Sequence, residues 1–344
     1  KIRRAMKPKR ALAALATPLI NFLFRKGVAP GGAMALVSLS LYFFLPSSCP
    51  EPARRMAVIF AVAAFFWTSE IIPLFATSFL VILLEIFFLT QAGGPAGFSE
   101  NKFTFFLASF ANPVIILFMG GFVLARALHK QGIDRLIASK LLARFGQKPY
   151  FILLGFMTAT AFLSLWMSNT ATTALMLTMI LPLLSHLDRS DPFRKALVLA
   201  IPFAANIGGI GTPVGTPPNA IALGMLAERG FEINFLTWMI MAVPLVILMI
   251  GLSSFILYRI FPPKREQMTF DLAKTDSGVG AKSVLSIALV MVLLWLTSPW
   301  HKIPEAVVAL LGTAFLTVFG LIDRNDIKAI DWDILILMWG GLAL

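Results

Sequence analysis

Cysteine and charged residues are the scarcest features of this sequence. Its 344 residues contain one cysteine, Cys49, which excludes an intrachain disulfide and a cysteine metal cluster. The three histidines, at positions 129, 186 and 301, lie far apart, so we expect solvated loop residues rather than metal ligands. The sequence shows no spacing typical of a zinc site, a nucleophile elbow or a catalytic triad, and we therefore expect no enzyme.

Only 13% of the residues are charged, whereas a soluble domain averages about 25%. Hydrophobic residues make up 58%, and the mean hydropathy is +0.84. This composition predicts an all-α polytopic membrane protein. The net charge of +12 does not indicate a nucleic-acid partner, because the lysines and arginines lie in short loops between apolar runs, where they signal topology.

The apolar runs predict nine membrane spans, of which the fifth is broken. The candidate spans are 33–46, 56–68, 72–90, 105–128, 196–227, 235–261, 283–297, 304–322 and 332–344. The ninth stops within an apolar segment at Leu344, which predicts that the sequence is a fragment of a longer protein. A polar and basic stretch, 262–282, is expected to be a cytoplasmic linker.

The distribution of cations predicts a cytoplasmic N-terminus in an inner (plasma) membrane. With the spans threaded alternately, 24 of the 29 lysines and arginines fall on the inner side. Residues 1–32 are then a cytoplasmic or interfacial segment, with a cleaved signal peptide as the alternative. Residues 135–149 have an apolar stripe at helical spacing and predict an amphipathic helix on the inner surface.

The alternate threading of the spans also requires the apolar stretch 151–184 to begin and end on the cytoplasmic side. It is interrupted by Ser168, Asn169 and Thr170, with arms of about 25 and 21 Å on either side. Neither arm crosses a hydrocarbon core of about 30 Å, so a re-entrant hairpin with the polar residues at its tip is expected. The alternative is that these residues only pack the hairpin against a neighbour.

A second interruption, 208–219, divides the run 196–227. Its three prolines lack N–H groups and leave carbonyls free to attract a cation, and its glycines permit an unwound backbone. A half-helix that starts near Pro218 and Asn219 offers free N–H groups to an anion. A simple kink is the alternative; a nucleotide loop is disfavoured, because no lysine follows and no strand precedes.

Two pairs of similar segments predict an inverted-topology repeat. Residues 66–73, from Phe66-Trp67 to Ile72-Pro73, resemble residues 294–304, from Leu294-Trp295 to Ile303-Pro304. Residues 112–121, which end in Gly-Gly, resemble 332–341, which end in the same pair. The first copy enters its glycine-bearing span from outside and the second from inside, as inverted repeats of transporters do.

The motifs SNTATTALML (168–177), GGIGTPVGTPPNAIALG (208–224) and FFWTSEIIPLFATS (65–78) resemble the divalent-anion:sodium symporter family of dicarboxylate, citrate and sulfate carriers. The resemblance implies a homodimer in which a transport domain moves against a scaffold by an elevator mechanism. It also implies which groups bind the ligands. Na⁺ would be held by Ser164, Ser168, Asn169 and the carbonyl of Gly215; the substrate would be held by Asn169, Thr170, Thr216 and Pro217.

We therefore expect Na⁺-coupled symport of a small divalent anion, with a C4-dicarboxylate preferred over citrate or sulfate as the substrate. The scaffold is assigned to 33–134, half of the transport domain to 150–261, and the start of a truncated second repeat to 283–344. The second hairpin tip should follow about fifty residues after Gly340. A proton-coupled or arsenite-type permease and a non-transporting membrane scaffold remain as alternatives.

Glu85 is the one acidic residue well inside a predicted span. An ionisable group at membrane depth is a functional candidate by default. Glu85 lies five residues from the end of its span and belongs to the predicted scaffold. We therefore expect a structural role or a carboxylate that extends to the interface.

Overall fold

The computed structural model describes residues 40, 42–46, 48–90, 103–265 and 278–344. The predicted interfacial segment 1–32, most of the first predicted span and much of the predicted linker 262–282 lie outside these ranges. Within them the chain forms helices and no strand. The helices agree with the predicted all-α architecture.

The described residues between 51 and 343 form fifteen α-helices, numbered in chain order. They are α1 Glu51–Ser69, α2 Leu74–Leu89, α3 Phe103–Ala108, α4 Pro113–Lys130, α5 Ile133–Leu142, α6 Pro149–Ser164, α7 Asn169–His186, α8 Phe193–Gly209, α9 Pro217–Glu228, α10 Phe235–Ile260, α11 Ala281–Leu296, α12 Ser298–His301, α13 Glu305–Val318, α14 Arg324–Lys328 and α15 Trp332–Ala343.

Prolines and short polar side chains set several helix starts. Pro113, Pro149 and Pro217 each occupy the first position of a helix, where a missing N–H costs no hydrogen bond. The Asn112 side chain caps α4 by accepting from the N–H of Val114 at 2.9 Å. This cap and a 3₁₀ turn at Ser109–Ala111 divide the predicted span 105–128 into α3 and α4.

Two helical segments, Phe103–Lys130 and Phe235–Ile260, are long and apolar enough to cross a bilayer. Several further apolar helices have 10–17 residues, among them α2, α6, α11, α13 and α15. The predicted surface helix 135–149 is shorter than expected. Its helix, α5, ends at Leu142, and the chain turns through Gly146 at φ +74° before α6 begins.

The chain divides into two compact units. The first comprises Lys1–Phe110 and Ile336–Leu344, and α1 and α2 pack together in it around Ile59, Ala63 and Val81. The second comprises Ala111–Leu335. Its largest apolar core joins α6, α7, α8 and α10, with fully buried side chains such as Phe156 and Ile180.

The segments that resemble each other in sequence make similar contacts. The indole N–H of Trp67 donates to the carbonyl of Leu74 at 3.2 Å, and that of Trp295 donates to the carbonyl of Glu305 at 3.1 Å. In both copies the acceptor directly follows the proline that precedes the helix, Pro73 or Pro304 in the sequence.

The glycines of the second sequence pair also have matching surroundings. A Cβ added to Gly120 would lie 2.5 Å from the Cβ of Ala309, and one added to Gly340 would lie 2.5 Å from the Cβ of Ser78. Ser78 and Ala309 each stand five residues after the proline that precedes their helix. Each glycine therefore contacts the corresponding position of the other sequence copy.

Candidate functional site

The polar residues at 168–170 form the turn and first residues of a helical hairpin. Helix α6 ends at Ser164 and α7 begins at Asn169. The Ser168 hydroxyl caps α7 by accepting from the N–H of Ala171 at 3.4 Å. The two helices have 16 and 18 residues, or about 24 and 27 Å, so each is shorter than a 30 Å hydrocarbon core.

Three oxygen atoms converge behind this turn. The fully buried hydroxyl of Ser164 lies 2.8 Å from Asn169 Oδ1 and 2.8 Å from the carbonyl oxygen of Ala205 in α8. A hydroxyl has one proton to donate, so it can satisfy only one of these acceptors at a time. The cluster is therefore rich in oxygen lone pairs and poor in protons, which favours a cation.

Asn169 also connects the hairpin to α8 through its amide nitrogen. Its Nδ2 donates to Oδ1 of Asn206 at 3.0 Å. This bond fixes the orientation of the Asn169 side chain, so that its oxygen faces Ser164. Asn206 was not among the predicted site residues, because it lies within a helical run whose sequence does not reveal what it contacts.

The second interruption separates two helices, as predicted. Helix α8 ends at Gly209, residues 210–216 are non-helical, and α9 begins at Pro217. The buried amide of Asn219 closes the interruption by donating to the carbonyls of Gly209 at 2.9 Å and Thr212 at 2.8 Å. The indole of Trp238 donates to the carbonyl of Ile210 at 3.0 Å.

This interruption lies directly against the hairpin. Thr212, which is fully buried, donates its hydroxyl proton to the carbonyl of Leu165 in the hairpin turn. A Cβ added to Gly209 would lie 2.6 Å from Asn169 Oδ1 and 3.2 Å from the carbonyl oxygen of Gly215. A side chain at 209 would therefore displace Asn169 Oδ1 and crowd the carbonyl oxygen of Gly215.

The structure therefore connects three of the predicted Na⁺-binding residues. The Ser164 hydroxyl contacts Asn169 Oδ1, and Asn169 Oδ1 and the Gly215 carbonyl oxygen both lie against Gly209. The fourth, Ser168, caps α7 and lines a cavity beside that helix. The other predicted substrate residues occupy the starts of two helices. Thr170 is exposed in the first turn of α7, Thr216 precedes α9 as its N-cap, and Pro217 is its first residue.

Glu85 does not extend to the interface. Its side chain is fully buried in α2, and neither carboxylate oxygen has a hydrogen-bond partner among the described residues. The expectation of a carboxylate that extends to the interface is therefore wrong, because the side chain is fully buried. Across the described ranges, no group of three His, Cys, Asp or Glu side chains could hold a metal ion.

Comparison with known proteins gives consistent matches. A family model described as "Citrate transporter" matches residues 63–344. An uncharacterized transporter of Haemophilus influenzae is 33% identical over 336 residues, which cover 91% of this chain and 69% of that protein. The sodium-dependent dicarboxylate transporter SdcS of Staphylococcus aureus is 31% identical over 351 residues, 90% of this chain and 65% of its own length.

A third relative is an uncharacterized transporter of Schizosaccharomyces pombe. It is 31% identical over 323 residues, which cover 90% of this chain and 37% of that protein. The chain thus spans between about a third and two thirds of the length of these three relatives.

Proposed function

The chain belongs to the citrate transporter family, a family of membrane transporters rather than enzymes, and from this membership we propose Na⁺-coupled symport of a small divalent anion. The preferred substrate is a C4-dicarboxylate, and citrate and sulfate are the alternatives. Transport follows an elevator-type alternating-access mechanism in a homodimer. The relative named as a sodium-dependent dicarboxylate transporter supports this choice of ion and substrate class.

The convergence of oxygen atoms at Ser164 is the observation that carries the proposal. Asn169 Oδ1 and the carbonyl oxygen of Ala205 each lie 2.8 Å from the Ser164 hydroxyl, which has one proton to donate to the two of them. A hard cation binds oxygen ligands and relieves the repulsion between their lone pairs. We assign Na⁺ to Ser164, Asn169 and the Gly215 carbonyl, with Ser168 contributing from the turn.

The starts of two helices supply the proposed substrate contacts. Free N–H groups at the start of α7 attract a carboxylate, and so does the positive dipole end of α9, whose first two residues are prolines and whose Asn219 N–H donates to the carbonyl of Thr216. Asn169, Thr170, Thr216 and Pro217 are adjacent to these two ends. The sequence has no lysine or arginine in α6, α7 or α9 that could bind the anion directly. Co-bound Na⁺ therefore has to compensate the substrate charge, and this couples the two ligands.

The assignment of domains is part of the same proposal. Residues 33–134 and 283–344 belong to the scaffold, and 150–261 to the transport domain, in which α6 and α7 form a re-entrant hairpin. The equivalent tryptophan and glycine contacts of the two sequence copies support an inverted repeat. The cation distribution supports a cytoplasmic N-terminus in the plasma membrane.

Reconstitution of the full-length protein into liposomes tests this function. Labelled succinate should accumulate when Na⁺ is present outside, and should not accumulate when K⁺ replaces it. The extent to which unlabelled citrate or sulfate inhibits the uptake of labelled succinate ranks the three substrates. Uptake driven by a proton gradient in K⁺ medium would contradict Na⁺ coupling, and the absence of succinate, citrate and sulfate uptake would contradict the substrate class.

The site assignment is tested with Asn169→Ala. The substitution removes the oxygen near Ser164 and the bond to Asn206, so Na⁺-dependent uptake should fall roughly tenfold to hundredfold, as expected for one or two polar contacts to charged ligands. The matched control is Asn325→Ala, an exposed asparagine in α14. Uptake by Asn169→Ala within twofold of the control would refute the assignment.

A further inference from the structure

A cavity of about 360 Å³ lies beside the hairpin turn, within the second compact unit. It is bounded by α4, α5, α7 and residues 329–331. Its lining is apolar apart from Arg126, His129, Arg135, Ser168, Thr178 and Asp331. The volume is sufficient for a small organic anion with several waters.

Two of the three basic side chains in this cavity already have acidic partners. Arg126 Nε lies 3.0 Å from Asp326 Oδ1, and His129 Nδ1 lies 2.7 Å from Asp134 Oδ2. Arg135 differs from them. Its guanidinium forms no salt bridge in the part of the chain that the structure describes. Arg135 nevertheless lines the cavity.

Asp331 is the one acidic residue that lines the cavity, and it too has no salt bridge to a described residue. Arg135 and Asp331 therefore line the same cavity with charges of opposite sign, and neither forms a salt bridge to a described residue. An anion in the cavity would be attracted by Arg135 and repelled by Asp331.

The cavity is adjacent to the candidate site. Ser168 lines it, and the next residue, Asn169, contacts Ser164 and Asn206 in the oxygen cluster. An anion held in the cavity would thus lie next to the hairpin turn without occupying the cluster itself.

We propose that this cavity is a separate, low-affinity binding site for a small carboxylate dianion, in which the attraction of Arg135 offsets the repulsion of Asp331, so that the anion enters without being held tightly. The inference rests on the proposed function, since it takes the transported anion as the ligand. It adds a site outside the oxygen cluster, with α7 of the hairpin as one of its walls.

The size of the effect follows from Coulomb's law. A charge on the wall lies on the order of 6 Å from an ion at the centre of such a cavity. At the dielectric constant of water, one unpaired charge then changes the occupancy of a monovalent ion roughly threefold and that of a divalent ion roughly tenfold. Salt at about 1 M reduces the Debye length to about 3 Å and should remove most of this effect.

The local charge can be measured without transport. In a full-length protein free of other cysteines, including Cys49, Ala174→Cys places a thiol on the exposed wall of the cavity. The rates of modification by an anionic and a cationic methanethiosulfonate reagent then report the local potential. Arg135→Gln should lower the anionic-to-cationic rate ratio roughly tenfold, and Asp331→Asn should raise it by a similar factor.

The matched control is Lys140→Gln, which removes an exposed charge from the same helix, α5, without altering the cavity wall. It should change the rate ratio less than twofold. Equal effects of Arg135→Gln and Lys140→Gln, or effects of the same sign for Arg135→Gln and Asp331→Asn, would overturn the proposal.

Ligand binding is tested with succinate at millimolar concentration. Succinate should slow modification of the cavity thiol by the anionic reagent, also in the Asn169→Ala background, and Arg135→Gln should abolish this protection. Protection that is lost with Asn169→Ala would assign the anion to the oxygen cluster and refute a separate binding site. Potentials as predicted together with an absence of Na⁺-dependent uptake would refute the proposed function instead.

Discussion

The amide of Asn219 holds the interrupted helix closed, and its removal gives the sharpest test of the site geometry. The side chain is 6% exposed and donates to the carbonyls of Gly209 and Thr212 at 2.9 and 2.8 Å. Gly209 is the residue against which Asn169 Oδ1 and the Gly215 carbonyl lie. A change at Asn219 therefore acts on the oxygen cluster through Gly209.

The magnitude follows from the two hydrogen bonds. Asn219→Ala leaves the Gly209 carbonyl without this donor in a buried position, whereas the Thr212 carbonyl still accepts from the N–H of Gly215 at 3.3 Å. One orphaned acceptor costs about 1–3 kcal/mol. At about 2 °C per kcal/mol for a large domain, the melting temperature should fall by roughly 2–6 °C. Without the Asn219 amide, the backbone at Gly209 is held less firmly and positions the Gly215 carbonyl less well. The apparent Na⁺ affinity should therefore also fall.

The assay measures melting of the purified full-length protein across a Na⁺ titration at constant ionic strength, with K⁺ as the replacement. Asn219→Ala should melt lower in K⁺ and should need at least several-fold more Na⁺ for half of the maximal stabilisation. Asn325→Ala, on the surface of α14, is the control for an asparagine truncation and should match the wild type.

The two readouts separate a local role from a general one. A lower melting temperature with an unchanged Na⁺ midpoint would show that Asn219 stabilises the fold without affecting the cation site. That result would refute the argument that the interrupted helix positions the oxygen cluster. An unchanged melting temperature would refute the hydrogen-bond argument itself.

Two further substitutions test packing and electrostatics. The Cβ added by Gly120→Ala would lie 2.5 Å from the Cβ of Ala309, so this variant should lower the free energy of unfolding by about 1–3 kcal/mol in chemical denaturation. Gly251→Ala, which places its Cβ in open space, should be neutral or stabilising. Equal effects of the two substitutions would contradict the close approach at Gly120. A hydrogen bond from Lys130 holds the pKa of Asp323 at about 2, below its ordinary 3.8, so the stability it contributes is present above about pH 4 and is lost towards pH 2. Asp323→Asn should flatten the decline of melting temperature between about pH 4 and pH 2.5, and an unchanged slope would refute this pairing.

Local signals in the sequence were sufficient to locate the two interruptions. Proline lacks an N–H and glycine lacks a Cβ, so a segment dense in both cannot continue a helix. The predicted interruption 208–219 and the observed gap 210–216 agree for this reason. The turn at Ser168 was similarly marked by polar residues within an apolar run.

Contacts between distant segments were not predictable in this way. Asn206 lies in a run whose helical pattern indicates a face but not its neighbour, and Asn219 was predicted only as the start of a half-helix. The contacts of both side chains at the site appeared only in the structure. The pair between Arg126 and Asp326 joins residues 200 positions apart. The predicted span 105–128 lies within the apolar helical segment Phe103–Lys130. The Asn112–Pro113 step that separates α3 from α4 within it is visible in the sequence, but the apolar run obscured it.

Helix α4 lines two separate cavities, one beside the interrupted helix and one beside the hairpin turn. Near its start, Pro113 and Val114 line a cavity of about 470 Å³ that also touches Pro213, whereas residues within 122–129 line the cavity at Ser168. The two cavities share no lining residue. Between them lies Gly121, where an added Cβ would be 3.4 Å from the Cβ of Val214 in the interrupted helix.

An added Cβ at Gly121 would make only an ordinary van der Waals contact with Val214, so α4 meets the interrupted helix here without an interlocking side chain of its own. The alternating access that we propose requires a barrier between the two cavities, because a site open to both at once would leak its ion gradient. The contact at Gly121 involves the same interruption, 210–216, that places the Gly215 carbonyl near Asn169 Oδ1. In the proposed elevator mechanism, movement of the interrupted helix along α4 would therefore change the access route and carry the proposed ligands with it.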